Sequence, residues 1–314
     1  MDRLHKSKSQ RISCCCALLG YSKQAYYKQF HTHERIVLQE KIILDEVLSI
    51  RKAIPAVGGR KLCHMLQERL SPELLVGRDT LFTLLRDHGL LLRRRKSKAP
   101  KTTNSWHHYH TYPDIYKGRM VDSPNKVWVA DITYIRLSNG KNCFLSLLTD
   151  VYSHKIVGWY LADTLSMEGP LMALKQALKE LPANHTLIHH SDRGVQYCSH
   201  SYTNCLKAEN ISISMTENSD PRENAIAERV NGILKGEWLD RERMDTMEQA
   251  RGRMKEIVDL YNDVRPHLSI EYLTPSQAHQ REGSLKRRWK TYYKKKEGFE
   301  QNKEKCIFAK DASG

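Results

Sequence analysis

The order of strand-forming and helix-forming segments between residues 125 and 239 restricts the possible folds of this chain more than any other feature. Three β-rich segments come first, and Asn139-Gly140 is typical of a tight hairpin turn between the first two. A helix with leucines at spacings of three and four follows, after which strands and helices alternate. The order is βββαβαβα. An antiparallel meander followed by this alternation predicts an α/β fold, a mixed five-stranded sheet with flanking helices.

The residues that precede this region are predicted to form only helices. In residues 1–40 a short apolar helix ends at Gly20, and Ser22 is a favourable N-cap for a second helix with polar side chains. Residues 41–98 contain three more helical segments, the first of which ends before Pro55. Such pairs are typical of a helix-turn-helix, whose second helix enters a DNA groove, although short helices that only pack together share the pattern.

Charge is distributed unevenly along the chain. The net charge of +15 divides into +13 over residues 1–120, −4 over 121–280 and +6 over 281–314. Basic ends around a mildly acidic centre favour a polyanionic partner, most commonly nucleic acid. A basic run after the predicted helices is expected to contact DNA phosphates, although solvated linkers also contain such runs; it comprises Arg93, Arg94, Arg95 and Lys96.

Several other classes of protein are disfavoured by the sequence. It has neither an apolar run of about 18 residues nor the apolar segment of a signal peptide near its start. None of its eight cysteines belongs to a CxxC pair, which favours free thiols in a reducing compartment. His107, His108 and His110 lack further ligands at structural-zinc spacing. We therefore expect a cytoplasmic, nucleoid-associated protein with no membrane segment.

Two aspartates stand at sheet positions where acidic residues are unusual. Asp131 interrupts the apolar first strand in WVADITYI, although carboxylates are poor strand formers. Asp192 follows the fourth predicted strand in LIHHSDRGVQY. The stretch 191–194 also has ordinary turn composition, so a turn is the alternative explanation for Asp192. In a mixed sheet the first strand can lie beside a later one, which would bring the two carboxylates close together.

A third acidic residue lies on the last helix of the alternating region. With about 100° between successive residues, this helix has an apolar stripe that we expect to pack on the sheet, Ile226, Val230 and Ile233. The opposite stripe is polar and comprises Asn224, Glu228, Asn231 and Lys235. We expect Glu228 to reach a metal ion. Lys235 and Asn231 are predicted to contact DNA.

Three carboxylates in a basic chain suit one particular chemistry. Cleavage or transesterification of phosphodiesters by two metals uses carboxylates to hold divalent ions about 3.5–4 Å apart, one at the attacking and one at the leaving oxygen. Hard oxygen ligands select Mg²⁺ or Mn²⁺, and without a cation converging carboxylates would repel each other. We therefore predict that Asp131, Asp192 and Glu228 are catalytic residues holding two Mg²⁺ or Mn²⁺ ions.

These motifs resemble those of a known enzyme family. WVADITYI, HHSDRGVQY and ENAIAERVNGILK resemble the three catalytic motifs of the retroviral-integrase-like transposases of bacterial insertion elements, especially the second-frame proteins of the copy-out group. The 35 residues between Asp192 and Glu228 match the spacing that is diagnostic of that group, and Lys235 matches its basic helix residue. YNDVRPHLSIEYLTPSQA resembles the closing motif of the family.

The resemblance implies an RNase H-like core that uses Mg²⁺ to nick element ends and then joins the freed 3′-hydroxyls to target DNA. The expected partners are double-stranded DNA, further copies of the chain on that DNA and an upstream-frame helix-turn-helix protein. The expected domains are an N-terminal helical segment (1–40), a helix-turn-helix-like DNA-binding region (41–98), a linker (99–124), an RNase H-like integrase catalytic core (125–280) and a basic C-terminal tail (281–314).

Two other functions compete with this one. The chain could be a DNA-binding regulator with a relic catalytic core, although a relic has no reason to keep all three acids. It could also be a nuclease that hydrolyses DNA without joining it. The basic tail, which interleaves aromatic residues with lysine and arginine, could either clamp DNA or remain a disordered tail.

Overall fold

A computed structural model of the chain describes residues 12–92, 108–217 and 224–285. The first of these ranges is helical, as the sequence predicts. It contains α1 (12–18), α2 (Lys23–Ala53), α3 (Gly59–Arg69), a 3-10 turn (Pro72–Leu74) and α4 (Arg78–Asp87).

Helix α2 is longer than either helical segment predicted within it. Ser22 caps its N-terminus, since the Ser22 Oγ accepts a hydrogen bond from the backbone N–H of Ala25 at 3.0 Å. No glycine or proline interrupts residues 23–53, so the helix continues until Ile54, directly before Pro55. The border predicted between residues 40 and 41 therefore falls inside one continuous helix.

The sheet has five strands in the order β3-β2-β1-β4-β5. Strands β1 (Val127–Arg136), β2 (Asn142–Asp150) and β3 (Ile156–Ala162) form the predicted antiparallel meander. Strand β4 (Ile188–Ser191) pairs in parallel with β1, and β5 (Ser212–Met215) pairs in parallel with β4. The predicted mixed sheet is confirmed, and its order is that of an RNase H-like core, with the first strand central and next to the fourth.

One face of the sheet is covered by α5 (Glu168–Leu178), α6 (Val195–Cys198) and α7 (His200–Ala208). Trp128 and Leu148 of this face pack in one hydrophobic cluster with residues of all three helices. Helix α5 approaches β3 closely because residue 158 is a glycine. A Cβ atom there would lie 2.3 Å from the backbone oxygen of Ala173.

The other face is covered by α8 (Ala225–Leu234) and by α9 (Met247–Asp259). A π-helical turn (Lys235–Leu239) continues α8, and another (Leu260–Val264) continues α9. A 3-10 turn (Leu268–Ile270) and α10 (Pro275–His279) follow.

The N-terminal helices share a hydrophobic core with this second face. Ile43 and Val47 of α2 belong to the same cluster of buried side chains as Leu145 of β2 and Val230 of α8. The indole N–H of Trp238 also donates a hydrogen bond to the backbone oxygen of Ala53 at 2.8 Å. The helical region and the sheet are thus packed against each other directly.

The described part of the predicted 99–124 linker also lies against the sheet domain. Tyr112 packs on the cluster that contains Trp128, and Ile115 packs on the cluster that contains Val127. The backbone N–H of Ile115 donates a hydrogen bond to the Ser214 Oγ at 3.1 Å. These residues are therefore part of the packed structure rather than a spacer.

Within the described ranges, no helix has both the length and the apolar composition needed to cross a membrane.

Candidate active site

Asp131 lies in the middle of β1, the central strand, on the face that α8 covers. Its two carboxylate oxygens each accept a hydrogen bond. The backbone N–H of Ile132 donates to Oδ1 at 2.9 Å, and the side-chain amide of Asn231 donates to Oδ2 at 2.7 Å. The orientation of this carboxylate is therefore fixed from two sides.

The environment of Asp131 disfavours its negative charge. Burial raises the pKa of the Asp131 carboxyl to about 7, and the negative charges of Asp192 and, to a smaller extent, Glu228 add to this increase. The hydrogen bonds from Asn231 and Ile132 act in the opposite direction and lower the pKa. A site that contains an acid with such a raised pKa favours a bound cation, whose positive charge would stabilise the ionised carboxylate.

Asp192 lies directly after β4, at the start of a turn. Its Oδ1 accepts a hydrogen bond from the backbone N–H of Gly194 at 3.1 Å, which is ordinary turn chemistry. Asp192 and Asp131 also line the same cavity, which has a volume of about 120 Å³. The turn and the functional explanation for this acid are therefore compatible. The parallel pairing of β1 with β4 brings the two aspartates to one site.

Glu228 is placed differently. It lies in the first turn of α8 with a largely exposed side chain, and partial burial raises the pKa of its carboxyl. Among the described residues, no three His, Cys, Asp or Glu side chains are close enough to form a metal-binding group. The structure thus brings Asp131 and Asp192 together and leaves Glu228 outside their immediate group, so its role stays a prediction.

The predicted orientation of α8 is wrong for Asn231. This residue was expected on the polar stripe that points away from the sheet, yet it is only 5% exposed and contacts Asp131. The reason is that α8 packs on the sheet where β1 itself presents a carboxylate. Ala227, Val230 and Leu234 surround Asn231 on the buried face, and the amide pairs with the acid beneath it.

Lys235 begins the π-helical turn that follows α8. Its ammonium nitrogen lies 4.4 Å from the centre of the Tyr134 ring, within the range of a cation–π interaction. Tyr134 is one of the residues that line the cavity beside the two aspartates. A positive charge therefore stands at the rim of the candidate site, and the contact of Lys235 with DNA stays a prediction. Arg93, Arg94, Arg95 and Lys96 lie outside the described residues, and their predicted phosphate contacts stay predictions.

Two features of the site were not identified from the sequence. Tyr197 lines the cavity with Asp131 and Asp192, although its position in the motif HHSDRGVQY was given no role. Glu237 binds both Arg265, through two hydrogen bonds of 2.7 Å, and Lys61, at 2.8 Å, and so ties the turn after α8 to distant segments. An acid within a predicted amphipathic helix and an arginine near the end of the chain gave no signal of their pairing.

Comparisons with known proteins show which family the chain belongs to. Two models described as Integrase core domain match residues 121–221 and 209–275. A 31 kDa protein of insertion element IS600 from Shigella sonnei is 31% identical over 83% of this chain and 96% of its own length. The transposase for insertion sequence element IS629, also from Shigella sonnei, is 30% identical over 70% of this chain and 73% of its own length.

Among solved structures, the chain is similar to the catalytic core domain of the HTLV-2 integrase. The identity is 18% and the TM-score 0.41, over 50% of this chain and 98% of that one. The sequence relatives and the family models together decide the classification. The chain belongs to the family of insertion-element transposases with an integrase core domain, which are polynucleotidyl transferases.

Proposed function

We propose that this transposase cleaves DNA strands at the ends of an insertion element and joins the freed 3′ ends to target DNA, with Asp131, Asp192 and Glu228 as its catalytic carboxylates. One observation carries the proposal. Asp131 and Asp192 line a single cavity at adjacent parallel strands, where their charges raise each other's free energy. Neighbouring acids that disfavour their own ionisation are typical of a site that works with a cation.

The residues present fit a divalent metal with hard-oxygen preference. Asp131 and Asp192 offer carboxylate oxygens in one cavity, and Glu228 has an exposed side chain that can change its rotamer without disturbing the packing of α8. These are the ligands that Mg²⁺ or Mn²⁺ prefers. When bound, two such ions would supply activation of the attacking oxygen and stabilisation of the leaving oxygen of the phosphodiester.

The other residues of the site support the carboxylates and the DNA. Asn231 and the backbone N–H of Ile132 hold the Asp131 carboxylate, and the N–H of Gly194 holds that of Asp192. Hydrogen bonds that hold a carboxylate in one orientation keep the reacting groups in place. The charge of Lys235, at the rim of the cavity, provides a contact for a DNA phosphate.

We propose further that the DNA-bound enzyme contains at least two copies of the chain, because two element ends must be handled together. Double-stranded DNA is the proposed substrate, and an upstream-frame helix-turn-helix protein is the proposed source of additional end recognition. The basic residues before position 121, which carry most of the net positive charge, would bind the DNA backbone.

The test uses the full chain, a duplex that ends in the inverted repeat bordering its own coding region, and Mg²⁺ or Mn²⁺. Asp192→Asn removes one negative oxygen ligand and should lower strand cleavage by several orders of magnitude, because metal positioning contributes several kcal/mol, about tenfold in rate for each 1.4 kcal/mol. Cleavage is measured on denaturing gels. Asp259→Asn, at an exposed acid of α9, is the matched control and should cleave normally.

Two results would contradict the proposal. A wild-type chain that binds this duplex but cleaves nothing with either metal would be a DNA-binding regulator. A chain that cleaves but never joins pre-cut ends to a target duplex would be a nuclease. Both outcomes are read from the same gels when labelled pre-cut ends and target DNA are supplied.

A further inference from the structure

Tyr197 places a buried hydroxyl group in the candidate site. The residue is 2% exposed and lies in α6, directly after the turn that contains Asp192. Its hydroxyl oxygen is buried and has no hydrogen-bond partner among the described residues. A buried hydroxyl without a partner destabilises the folded protein, and phenylalanine would fill the same space without that cost. The hydroxyl therefore needs an explanation outside the folding of the chain.

The ring of Tyr197 is held firmly. It packs edge to face against Tyr202, with 5.4 Å between the ring centres, and lies 6.2 Å from the ring of His189. The Tyr202 hydroxyl is already paired with the His189 Nε2 at 2.9 Å. These contacts fix the direction of the Tyr197 hydroxyl without using it, and the residue lines the cavity shared by Asp131 and Asp192.

The two carboxylates that line the cavity with Tyr197 already receive other hydrogen bonds. Both oxygens of Asp131 accept from the protein, and the Oδ1 of Asp192 accepts from Gly194. Burial, together with the negative charges of the two aspartates, raises the pKa of Tyr197 well above its ordinary value, so the phenol keeps its proton. A residue that lines the cavity thus carries a neutral donor beside carboxylates, which can only accept when ionised.

We propose that Tyr197 is a DNA-contacting residue, whose hydroxyl donates a hydrogen bond to a non-bridging oxygen of the phosphate that is cleaved. This inference rests on the function proposed above, since it assigns the oxygen-rich substrate group of that reaction to the unused donor. A neutral donor suits the position because it holds a phosphate oxygen without competing for the carboxylates, as an ammonium or guanidinium group would.

The first experiment compares strand cleavage by the full-length wild-type chain and by Tyr197→Phe on the inverted-repeat duplex with Mn²⁺. Loss of a hydrogen bond to a charged oxygen should lower the single-turnover rate about 10- to 100-fold. Tyr202→Phe is the matched control, because it removes a hydroxyl from the same aromatic cluster that is already paired inside the protein. Its cleavage rate should stay within about twofold of wild type.

Thermal unfolding separates this role from a structural one. Tyr197→Phe removes an unpaired buried hydroxyl and should leave the Tm unchanged or higher, whereas Tyr202→Phe leaves His189 without its partner and should lower the Tm. A purely structural Tyr197 would lose stability and cleavage together. A lower Tm for Tyr197→Phe would therefore count against the proposal.

Phosphorothioate DNA identifies which non-bridging phosphate oxygen accepts the hydrogen bond from the Tyr197 hydroxyl. The scissile phosphate is made in its two diastereomers, in each of which sulfur, a poor acceptor, replaces one non-bridging oxygen. Tyr197→Phe and the wild type should cleave one diastereomer equally fast, because sulfur there has already removed the contact with the Tyr197 hydroxyl. With the other diastereomer, the 10- to 100-fold difference in rate between the two proteins should persist. Equal differences in both would overturn the assignment.

The two proposals fail in different ways. No cleavage of the unmodified duplex by the wild-type chain would overturn the proposed function itself. Normal cleavage by the wild type with equally fast cleavage by Tyr197→Phe would leave that function standing and would overturn only the role of Tyr197.

Discussion

The Asp131 carboxylate combines a fixed orientation with an unfavourable charge. Two donors hold its oxygens, and burial with nearby negative charge raises its pKa to about 7. Without a cation, the group would be only partly ionised near neutral pH. Its dependence on its neighbours makes it the residue at which small changes should alter activity most.

Removal of the Asn231 amide should shift the pH dependence of cleavage. The hydrogen bond from Asn231 lowers the pKa of Asp131, so Asn231→Ala raises that pKa further above about 7. Because the ionised carboxylate is the proposed metal ligand, activity should fall about tenfold at neutral pH and recover in alkaline buffer. The measurement is a pH profile of cleavage at constant Mn²⁺.

Asn224→Ala is the control for this variant. Asn224 also lies at the junction of α8 and β1, but its amide donates to the backbone oxygen of Ala130 at 3.0 Å, and among the described residues it has no hydrogen bond to a carboxylate. It should lower activity at all pH values without moving the profile. If both variants shifted the pH profile equally, the position of α8, rather than the hydrogen bond from the Asn231 amide, would control the pKa of Asp131.

Among the secondary-structure elements, the π-helical turn after α8 connects the candidate site to distant parts of the protein. Glu237 binds Lys61 of α3 and Arg265, whose side chain is 2% exposed. Trp238 of the same turn contacts α2 through its indole N–H. Lys235 stands two positions before Glu237, so the network that anchors the turn also sets where this lysine lies beside Tyr134.

Glu237→Gln should destabilise the fold strongly. The change leaves Arg265 and Lys61 without their shared counter-charge inside the protein, and loss of one partner of a buried ion pair costs about 3–5 kcal/mol. Urea unfolding of the full chain measures the loss. Glu180→Gln is the control, because the side chain of Glu180 is 73% exposed and its contact with Lys155, at 3.5 Å, should contribute less than about 1 kcal/mol. Equal losses would mean that Glu237 behaves as a surface residue.

The elements differed in how far local sequence could predict them. Strands β1 and β2 are predicted by the β-branched and aromatic residues around the Asn139-Gly140 turn, and α5 is predicted by the spacing of its leucines. The face of α8 was predicted less well, since periodicity assumes that an apolar stripe packs inward. The polar partner that Asp131 offers to Asn231 belongs to another element and is invisible in the helix sequence.

At the scale of the whole molecule, one hydrophobic core joins the N-terminal helices to the sheet domain. Close to this junction lie two histidines with parallel rings, His154 and His267, 5.9 Å apart. Burial lowers the pKa of His154 to about 4 and that of His267 well below its ordinary value, and the positive charge of Arg265 adds to both shifts. Both rings are therefore neutral in the folded protein at neutral pH.

Stability should consequently fall as the solution is acidified. In the unfolded chain both histidines bind protons below about pH 6.5, whereas His154 of the folded chain binds one only near pH 4. The folded state is thus favoured fully above pH 6.5, and each histidine contributes a loss of up to about 1.4 kcal/mol per pH unit as the pH falls towards 4. The raised pKa of Asp131 has the opposite effect on stability as the pH falls. Urea unfolding is therefore measured in proteins that all carry Asp131→Asn, which removes this opposing group.

His154→Asn tests this source of the pH dependence. Asparagine does not titrate there and tolerates the left-handed backbone of residue 154, where φ is 60°. The variant should reduce the slope of stability against pH between pH 6.5 and 4 by about a third, because His189, whose pKa burial lowers to about 3, contributes in the same way as His154 and His267. His110→Asn, at an exposed histidine, is the matched control for the substitution itself. An unchanged slope in the first variant would show that other groups dominate.

Local sequence was enough to predict the mixed sheet and the helical N-terminal region and to single out the two aspartates that line one cavity, because strand and helix periodicity and the cost of an acid in a strand are short-range properties. Contacts between distant segments were not accessible in this way. The pairing of Asn231 with Asp131, the Lys61–Glu237–Arg265 network and the unpaired hydroxyl of Tyr197 each depend on side chains brought together from separate elements. Packing, which acts across the folded chain, fixes which polar groups find a partner within the described residues and which do not.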